Sequence, residues 1–201
     1  MRTVDSIEAL EALYARKPSG AALDKVTDRL TPAQAAWIEA SRFCVLSTVG
    51  PEGTDASPRG DDGPVVRIMD ERTLLLPDWR GNNRMDSLRN IVRDGRVSLM
   101  FLVIGASGIL RVNGHAVLSD DPMLTARFAQ EETHPRAVIV VSVSEAYPQC
   151  ARAVMRAGLW SRGDDSAGLP GIGEMLAEAR EGFDGAAYDA QWPERAKTTM
   201  W

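Results

Sequence analysis

The sequence predicts a mainly β protein with peripheral helices, of the α+β class. Apolar segments follow one another in hairpin order, giving six or seven strands, and they do not alternate regularly with helices. Consecutive antiparallel strands favour a small barrel over a doubly wound parallel sheet. The chain has 201 residues, 44% hydrophobic and 25% charged, which suffices for a domain with a sizeable core.

The charge balance is acidic, with a formal net charge of -5. Proteins that bind nucleic acid or anionic membranes usually carry a strong basic excess, so we expect neither partner. Lysine occurs only at Lys17, Lys25 and Lys197, and the other basic residues are arginines. Any anion site is therefore expected to be built from arginine side chains and backbone N–H groups.

Cys44 and Cys150 lie far apart in the sequence and lack the spacing of metal ligands, so we expect neither a disulfide nor a metal site. Cys44 stands in an apolar run and reads as a buried structural thiol. The N-terminus has no secretory pattern, and no run is long and apolar enough to span a membrane. A cytoplasmic location is expected.

The N-terminal residues 1–42 are predicted to form a helical extension. Residues 5–16 have helical spacing, and residues 17–20 break this helix. Residues 21–29 are compatible with a short helix or a loop. Thr31 followed by Pro32 is typical of a helix N-terminus, and this helix continues to about Ser41.

Residues 43–147 are predicted to form the barrel core, and residues 148–201 form C-terminal helices and a tail that pack on the barrel or on a partner subunit. The predicted strands are residues 43–49, 54–57, 65–69, 73–76, 97–104, 109–118 and 137–145, and the predicted helices after residue 42 are 83–93, 119–131, 148–157 and 172–181. Residues 59–64 read as a polar loop, and the tail receives no assignment.

The segment from Pro77 to Arg84 carries the strongest chemical signal. A buried strand ends in a polar loop with two amides and two guanidinium groups, and the loop leads into a helix N-terminus. Free N–H groups and the helix dipole favour an anion there, and Arg84 suits a bidentate contact with phosphate. The alternative is a solvated loop in which Asn82 or Asn83 caps the helix.

Several ordered segments resemble the pyridoxamine 5'-phosphate oxidase-like, FMN-binding split-barrel superfamily, and within it a bacterial subgroup of FMN-dependent enzymes. The resemblance covers about residues 30–160. The segments are 65–70, 74–78, 81–84, 87–91 and 110–116, which read VVRIMD, LLLPD, GNNR, SLRNI and LRVNGHA. The resemblance implies a split β-barrel that binds FMN and favours the phosphate interpretation of the polar loop.

The resemblance also implies roles for single residues. Arg67 stands where a basic strand residue of the family reaches the FMN phosphate, and Asn83 and Arg84 stand where a polar-basic pair grips it. The family pair is typically Arg-Lys, so Asn83 is a departure that lowers the positive charge. The cofactor-binding residues implied in this way are Arg59, Arg67, Leu76, Pro77, Asp78, Asn82, Asn83, Arg84, Ser87, Leu110, Arg111 and Trp160.

Within that set, the strand end 76–78 would run beside the isoalloxazine ring or ribityl chain. The loop 57–60 would flank the reactive face of the ring, and Arg111 or the backbone near Leu110 would reach the ring from a neighbouring strand. The family further implies a homodimer with each flavin at the subunit interface. Trp160 is then either a contact with the partner's flavin or an ordinary packing residue.

The function implied is that of an FMN-dependent oxidoreductase acting on an unknown small molecule. The tail at 191–196 lacks the Arg-x-His element of the true oxidase, so oxidation of pyridoxamine phosphate itself is not expected. No dinucleotide motif follows a strand, so NAD(P)H would be only a transient electron donor. No catalytic residue is assigned. The alternatives are a non-catalytic flavin-binding or regulatory protein, a split barrel that uses F420 or haem, and an interaction-only protein.

Overall fold

A computed structural model describes residues 1–14, 18 and 20–200 of the chain. Seven strands form one sheet in which every neighbouring pair is antiparallel, in the order β2-β1-β5-β6-β7-β4-β3. The strands are β1 (Phe43–Gly50), β2 (Gly53–Gly60), β3 (Arg67–Asp70), β4 (Thr73–Asp78), β5 (Arg96–Leu102), β6 (Ile109–Ser119) and β7 (Ala137–Gln149). The predicted fold class, mainly β with helices, is confirmed.

Eight α-helices and one short 3-10 helix accompany the sheet in the described part of the chain. The α-helices are α1 (Ile7–Leu13), α2 (Gly20–Asp24), α3 (Pro32–Glu39), α4 (Asp86–Arg93), α5 (Pro122–Thr125), α6 (Arg152–Ala157), α7 (Ile172–Ala179) and α8 (Gly185–Thr199). The end of the predicted first helix, at residues 15 and 16, lies outside the described residues. Among the described residues, no helix is both long enough and apolar enough to cross a membrane.

The main core lies on the inner face of the curved sheet. Alternate residues of each strand point inward because successive side chains of a strand lie on opposite faces. The largest fully buried side chains include Leu46, Leu74, Leu76, Leu99, Phe101, Val112 and Ile139. Cys44 belongs to this core, as predicted, and burial raises the pKa of its thiol to about 12. A smaller cluster of Leu75, Phe128 and Val138 lies apart from it.

Helix α3 begins as the sequence predicts. The Thr31 hydroxyl accepts a hydrogen bond from the backbone N–H of Gln34, and the Gln34 side chain accepts one from the backbone N–H of Thr31. This reciprocal capping satisfies two backbone donors that a helix start otherwise leaves unpaired. Ile38 is fully buried, so the helix is fixed against the barrel core.

Helix α4 begins at Asp86, three residues later than predicted. Asn83 has a left-handed backbone (φ 58), and the Asn82 Oδ1 atom accepts a hydrogen bond from the backbone N–H of Arg84. Asparagine side chains compete in this way with helical hydrogen bonding, so the chain makes a turn before the helix starts. Neither asparagine caps the helix, whose N-cap residue is Met85 and lacks a side-chain cap.

Other predicted boundaries also need correction. Residues 57–60 form the second half of β2, paired with β1, and are not a loop. Strand β7 runs to Gln149 and carries Pro148 opposite Leu110, so the next helix starts only at Arg152. The predicted helix 119–131 is reduced to α5 and one 3-10 turn. The unassigned tail contains the second helix of an α7–α8 pair, although its last residue, Trp201, lies outside the described residues.

A salt bridge spans the open side of the sheet. Strand β2 is an edge strand and β4 pairs only with β3 and β7, so no backbone hydrogen bonds join β2 to β4. Arg59 of β2 nevertheless contacts Asp78 at the end of β4, with 2.7 Å between Nη1 and Oδ1. Their side chains are only 18% and 20% exposed. The pair therefore connects two strands that the sheet keeps apart.

We predict that this ion pair has a larger coupling energy than an exposed ion pair with a similar N–O distance. The Arg59→Met, Asp78→Asn and double variants should give a coupling energy of about 1 to 3 kcal/mol in urea unfolding, because water screens a mostly buried pair poorly. Lys197 and Glu194 are the control pair, at 2.6 Å with side chains 67% and 79% exposed. Their coupling should stay below about 1 kcal/mol. Equal coupling in the two cycles would contradict the prediction.

Candidate functional site

A cleft of about 1040 Å³ lies between β2, the end of β4 and the start of α4. Its size is at the upper end of the range for small-molecule sites, about 300 to 1,000 Å³. Residues 55–62 and the segment 79–85, which connects β4 to α4, both line it. One end lies at the start of α4, where Ser87 contacts Asp55, and the other lies near the Arg59–Asp78 pair.

Most of the predicted site residues lie around this cleft. Those that line it are Arg59, Leu76, Pro77, Asp78, Asn82, Asn83, Arg84 and Ser87. They come from three separate stretches of the sequence, and the sheet brings them together because β4 ends beside β7 while the curved β2 edge approaches from the other side.

The remaining predicted residues lie elsewhere. Arg67 pairs with Leu75 across the β3–β4 hairpin and stacks over the Phe128 ring at 5.0 Å, on the face opposite Leu76 and the cleft. Leu110 is buried and borders a separate cavity.

The last two predicted residues, Arg111 and Trp160, contact residues outside the cleft. Arg111 lies 5.3 Å from the Tyr147 ring centre. The Trp160 indole is 40% exposed and donates a hydrogen bond to the carbonyl oxygen of Ala106.

The α4 end of the cleft presents donors for an anion. The first N–H groups of α4 have no side-chain cap, so they and the helix dipole favour negative charge. The Arg84 side chain is 78% exposed and forms an ion pair with Asp86, at 2.5 Å. That hydrogen bond to Asp86 raises the pKa of the Arg84 guanidinium, which therefore stays charged.

Arg136 joins this end of the cleft and was missed in the sequence. Its Nη1 atom donates a hydrogen bond to Asn83 Oδ1 at 3.1 Å. Arg136 immediately precedes β7, whose first residue, Ala137, pairs with Asp78. Only this long-range strand pairing places Arg136 beside Asn83, and no local sequence pattern indicates it.

Carboxylates also line the cleft, and their charges nearly balance those of the arginines. The charged lining residues are Arg59, Arg80, Arg84 and Arg136, with Asp55, Asp61, Asp62, Asp78 and Asp86. Ser87 Oγ donates a hydrogen bond to Asp55, which ties the first turn of α4 to β2. Within the described part of the chain, no group of three or more His, Cys, Asp or Glu is arranged to hold a metal ion.

The middle of the cleft has an apolar wall. Val65 and Leu76 are almost fully buried, at 2% and 1% exposure, and Pro77 and Ala137 lie beside them. An apolar wall between polar ends can receive a molecule with a planar apolar body and charged or polar ends. The geometry thus suits a ligand that carries an anionic group on one side of a ring.

Comparison with known proteins places this chain in a family. The family model described as pyridoxamine 5'-phosphate oxidase matches residues 30–150. These residues include the whole β-sheet and every residue that lines the cleft except Met200 of the C-terminal segment. No curated protein sequence matches the chain significantly.

Comparison with solved structures also found similarities to part of the chain, including the following three. HupZ from group A Streptococcus is 16% identical with a TM-score of 0.48, over 58% of this chain and 91% of that chain. General Stress Protein 26 from Bacillus anthracis is 16% identical with a TM-score of 0.42, over 56% and 88%. An FMN-binding protein from Syntrophomonas wolfei is 13% identical with a TM-score of 0.43, over 57% and 87%. From the sequence match over residues 30–150, the chain belongs to the pyridoxamine 5'-phosphate oxidase family.

Proposed function

We propose that this protein binds FMN in the cleft and acts as an FMN-dependent oxidoreductase on a small molecule. The observation that carries the proposal is the combination, in one cleft, of an uncapped helix start with two arginines and an apolar wall. The members of this combination come from distant parts of the chain, and the two arginines and the helix start lie outside the hydrophobic core. Membership of the family supports a flavin as the ligand.

The phosphate of FMN fits the α4 end of the cleft. The free N–H groups of the first helical turn would donate to phosphate oxygens, as they do at many helix N-termini. Arg84 would add a charge-assisted contact, and Arg136 would hold Asn83 in place or contact the phosphate itself. This proposal does not assign Arg67 to the phosphate, because its guanidinium lies over the Phe128 ring on the other face of the hairpin.

A phosphate bound at this position would share the positive charge of Arg84 with neighbouring carboxylates. Asp86 forms an ion pair with Arg84 in the described structure, and Asp55 also lies close enough to influence it. Phosphate must compete with these carboxylates, so the site is weaker than one built from arginines alone. Asn83, which stands where the family typically has a basic residue, also weakens phosphate binding.

The isoalloxazine ring fits the apolar middle of the cleft. Leu76 and Pro77 would lie along the ring, and the β2 residues 57–59 would border it from the opposite wall. A bound flavin supplies the redox chemistry, and the chain's own residues bind it, orient it and restrict access of water. The cleft contains no histidine among the described residues that line it, so we assign no side chain as acid or base.

Haem fits the described lining of the cleft less well than FMN does, and F420 fits it equally well. Haem iron is usually held by His, Cys, Tyr or Met, and among the described residues of the cleft only Met85 and Met200 belong to that set. F420 also carries phosphate, so the α4 end of the cleft does not separate it from FMN. The mass of the released cofactor separates the two.

Turnover distinguishes an enzyme from a flavin-binding or regulatory protein. An enzyme passes electrons from NAD(P)H, bound transiently against the flavin, to a small acceptor. A binding protein retains the flavin without steady reduction and reoxidation. We favour the enzyme because the cleft, at about 1040 Å³, leaves room beside the apolar wall for a second molecule.

We predict that Arg84→Ala weakens FMN binding by about tenfold or more, because hydrogen bonds to charged groups contribute roughly 1.5 to 3 kcal/mol. Titration of FMN fluorescence measures the dissociation constant. Arg89→Ala is the matched control, since Arg89 is an exposed residue of α4 outside the cleft.

The companion variant Asp86→Asn should tighten FMN binding severalfold, because it removes a like charge and releases Arg84 from its ion pair. Equal affinities in the Arg84→Ala and Arg89→Ala variants would refute the phosphate position. Weaker binding in Asp86→Asn would refute the competition between phosphate and carboxylate.

We also propose that the protein is a homodimer with the flavin near the subunit interface. The apolar residues of α1 and of the α7–α8 pair remain exposed in the single chain, and exposed apolar patches usually mark interfaces. Ile7, Leu13, Ile172 and Trp192 are exposed by 65%, 67%, 61% and 51%. The position of Trp160 in such a dimer stays a prediction.

Light scattering of the purified protein should therefore give twice the chain mass of 21.9 kDa. Burial of these apolar side chains in the interface stabilises the dimer. Replacing Ile172 and Trp192 together by serine should shift the mass towards that of one chain. A wild-type mass of 21.9 kDa at micromolar concentration would contradict the proposal.

A further inference from the structure

Helix α4 carries polar side chains on the face that packs against the sheet. Its buried residues are Ser87, Asn90 and Ile91, of which only Ile91 is apolar. Burial of a polar side chain costs free energy unless hydrogen bonds compensate for the lost water, and a pair of apolar side chains of the same shape would stabilise such a contact equally well or better. The two polar side chains therefore indicate a role in addition to stability.

Each of these polar side chains has its own partner on the β1–β2 hairpin. Ser87 Oγ donates a hydrogen bond to Asp55, and Asn90 Nδ2 donates one to Thr48 Oγ1 at 3.1 Å. Thr48 and Asp55 lie directly opposite each other in the antiparallel β1–β2 pair. The two donors are three residues apart, or about 4.5 Å along a helix axis, and neighbouring strands are about 4.8 Å apart. The spacing of the donors therefore fits the spacing of the acceptors when α4 runs across the two strands.

These hydrogen bonds fix the position of α4 more narrowly than apolar packing does. A hydrogen bond weakens steeply when its distance or angle changes, whereas a hydrophobic contact has no preferred direction. Strand β1 also approaches the helix closely at Gly50, where an added Cβ would lie 2.3 Å from Asn90 Oδ1. Beyond the helix, the Gly95 carbonyl oxygen accepts a hydrogen bond from the backbone N–H of Ala116 in β6 at 2.7 Å. The helix is thus attached to β2 near its start, to β1 in its middle and to β6 after its end.

We propose that Asn90 and Thr48 are positioning residues, which hold the first turn of α4 at the cleft and thereby set the preference of the cleft for a phosphorylated ligand. The inference rests on the proposed function, in which the free N–H groups of that turn and Arg84 bind the phosphate. Neither Asn90 nor Thr48 is among the residues that line the cleft, so both act only through the position of the helix. A small displacement of the helix start lengthens every hydrogen bond to the phosphate, and it leaves the apolar wall of Val65 and Leu76 in place.

The test compares the binding of FMN with that of riboflavin, which lacks the phosphate, by fluorescence titration of matched variants. Thr48→Val removes the hydroxyl that accepts the hydrogen bond and keeps the side-chain volume, whereas Thr48→Ser keeps the hydroxyl. In Thr48→Val the ratio of FMN affinity to riboflavin affinity should fall about fivefold or more, because misplaced donors lose much of their contact with charged oxygens. Riboflavin affinity should stay within about twofold of the wild-type value, since the apolar wall is unchanged. Thr48→Ser should retain the wild-type ratio.

Asn90→Leu removes the donor of the same hydrogen bond and should lower the ratio to a similar extent. Gln34→Met is the matched control, because Gln34 is a buried amide of α3 that donates to the Ala146 carbonyl oxygen outside the cleft. This control should lower the melting temperature and leave the ratio unchanged. A role in stability alone would not separate the two variants.

An unchanged ratio in the folded Thr48→Val and Asn90→Leu variants would overturn the proposal, as would an equal fall of the ratio in Thr48→Ser or Gln34→Met. Equal losses of FMN and riboflavin affinity would also overturn it, because they indicate damage to the whole cleft. If Thr48→Val does not fold, Asn90→Leu decides. A wild-type ratio near one refutes the proposed phosphate position and the positioning role with it. A wild-type ratio of about ten or more that neither variant lowers refutes the positioning role alone.

Discussion

The Arg59–Asp78 ion pair joins two strands that have no backbone hydrogen bonds to each other, and the cleft depends on this contact. An open sheet of seven strands leaves β2 at one edge and β3 at the other. Curvature brings β2 towards the end of β4, and the ion pair holds the two at 2.7 Å. The hydrogen bond from Trp79 to Asp61 adds a second connection at the same end. Together they fix the width of the cleft where a ring would enter.

Charge distribution, more than net charge, determines what the cleft can bind. Arginines and aspartates alternate around it, so that no large field of one sign exists. The α4 end becomes favourable to an anion because backbone N–H groups add to Arg84 and Arg136. At the other end, the Asp61 carboxylate accepts hydrogen bonds from the Trp79 indole and from the backbone N–H of Asp62. The cleft thus carries charged side chains on both sides of an apolar wall.

Local sequence patterns predicted much of this architecture. The hairpin order, the capped start of α3 and the buried Cys44 all follow from interactions between residues close in sequence or from apolar runs. The polar loop after β4 was likewise predicted to be the segment that binds a ligand, and it lines the cleft. These features depend on local sequence, so they could be predicted from the sequence alone.

Features that depend on distant contacts were not predictable. Arg136 reaches Asn83 only because β7 pairs with β4, and Arg67 points away from the cleft because its strand pairing places it on the face of Leu75. The irregular pairing near Gly114 accompanies a β7 that continues to Gln149, past the predicted end at Glu145. The late start of α4 reflects a side-chain hydrogen bond of Asn82 that competes with the helix.

The most direct test of a phosphate site at the start of α4 is a side-by-side titration of the wild-type protein with FMN and riboflavin. The two ligands share the ring and the ribityl chain and differ in the phosphate. If the helix start and Arg84 hold the phosphate, FMN binds at least about tenfold more tightly than riboflavin, and added salt reduces the difference. Equal affinities, or no binding of FMN, would contradict the account.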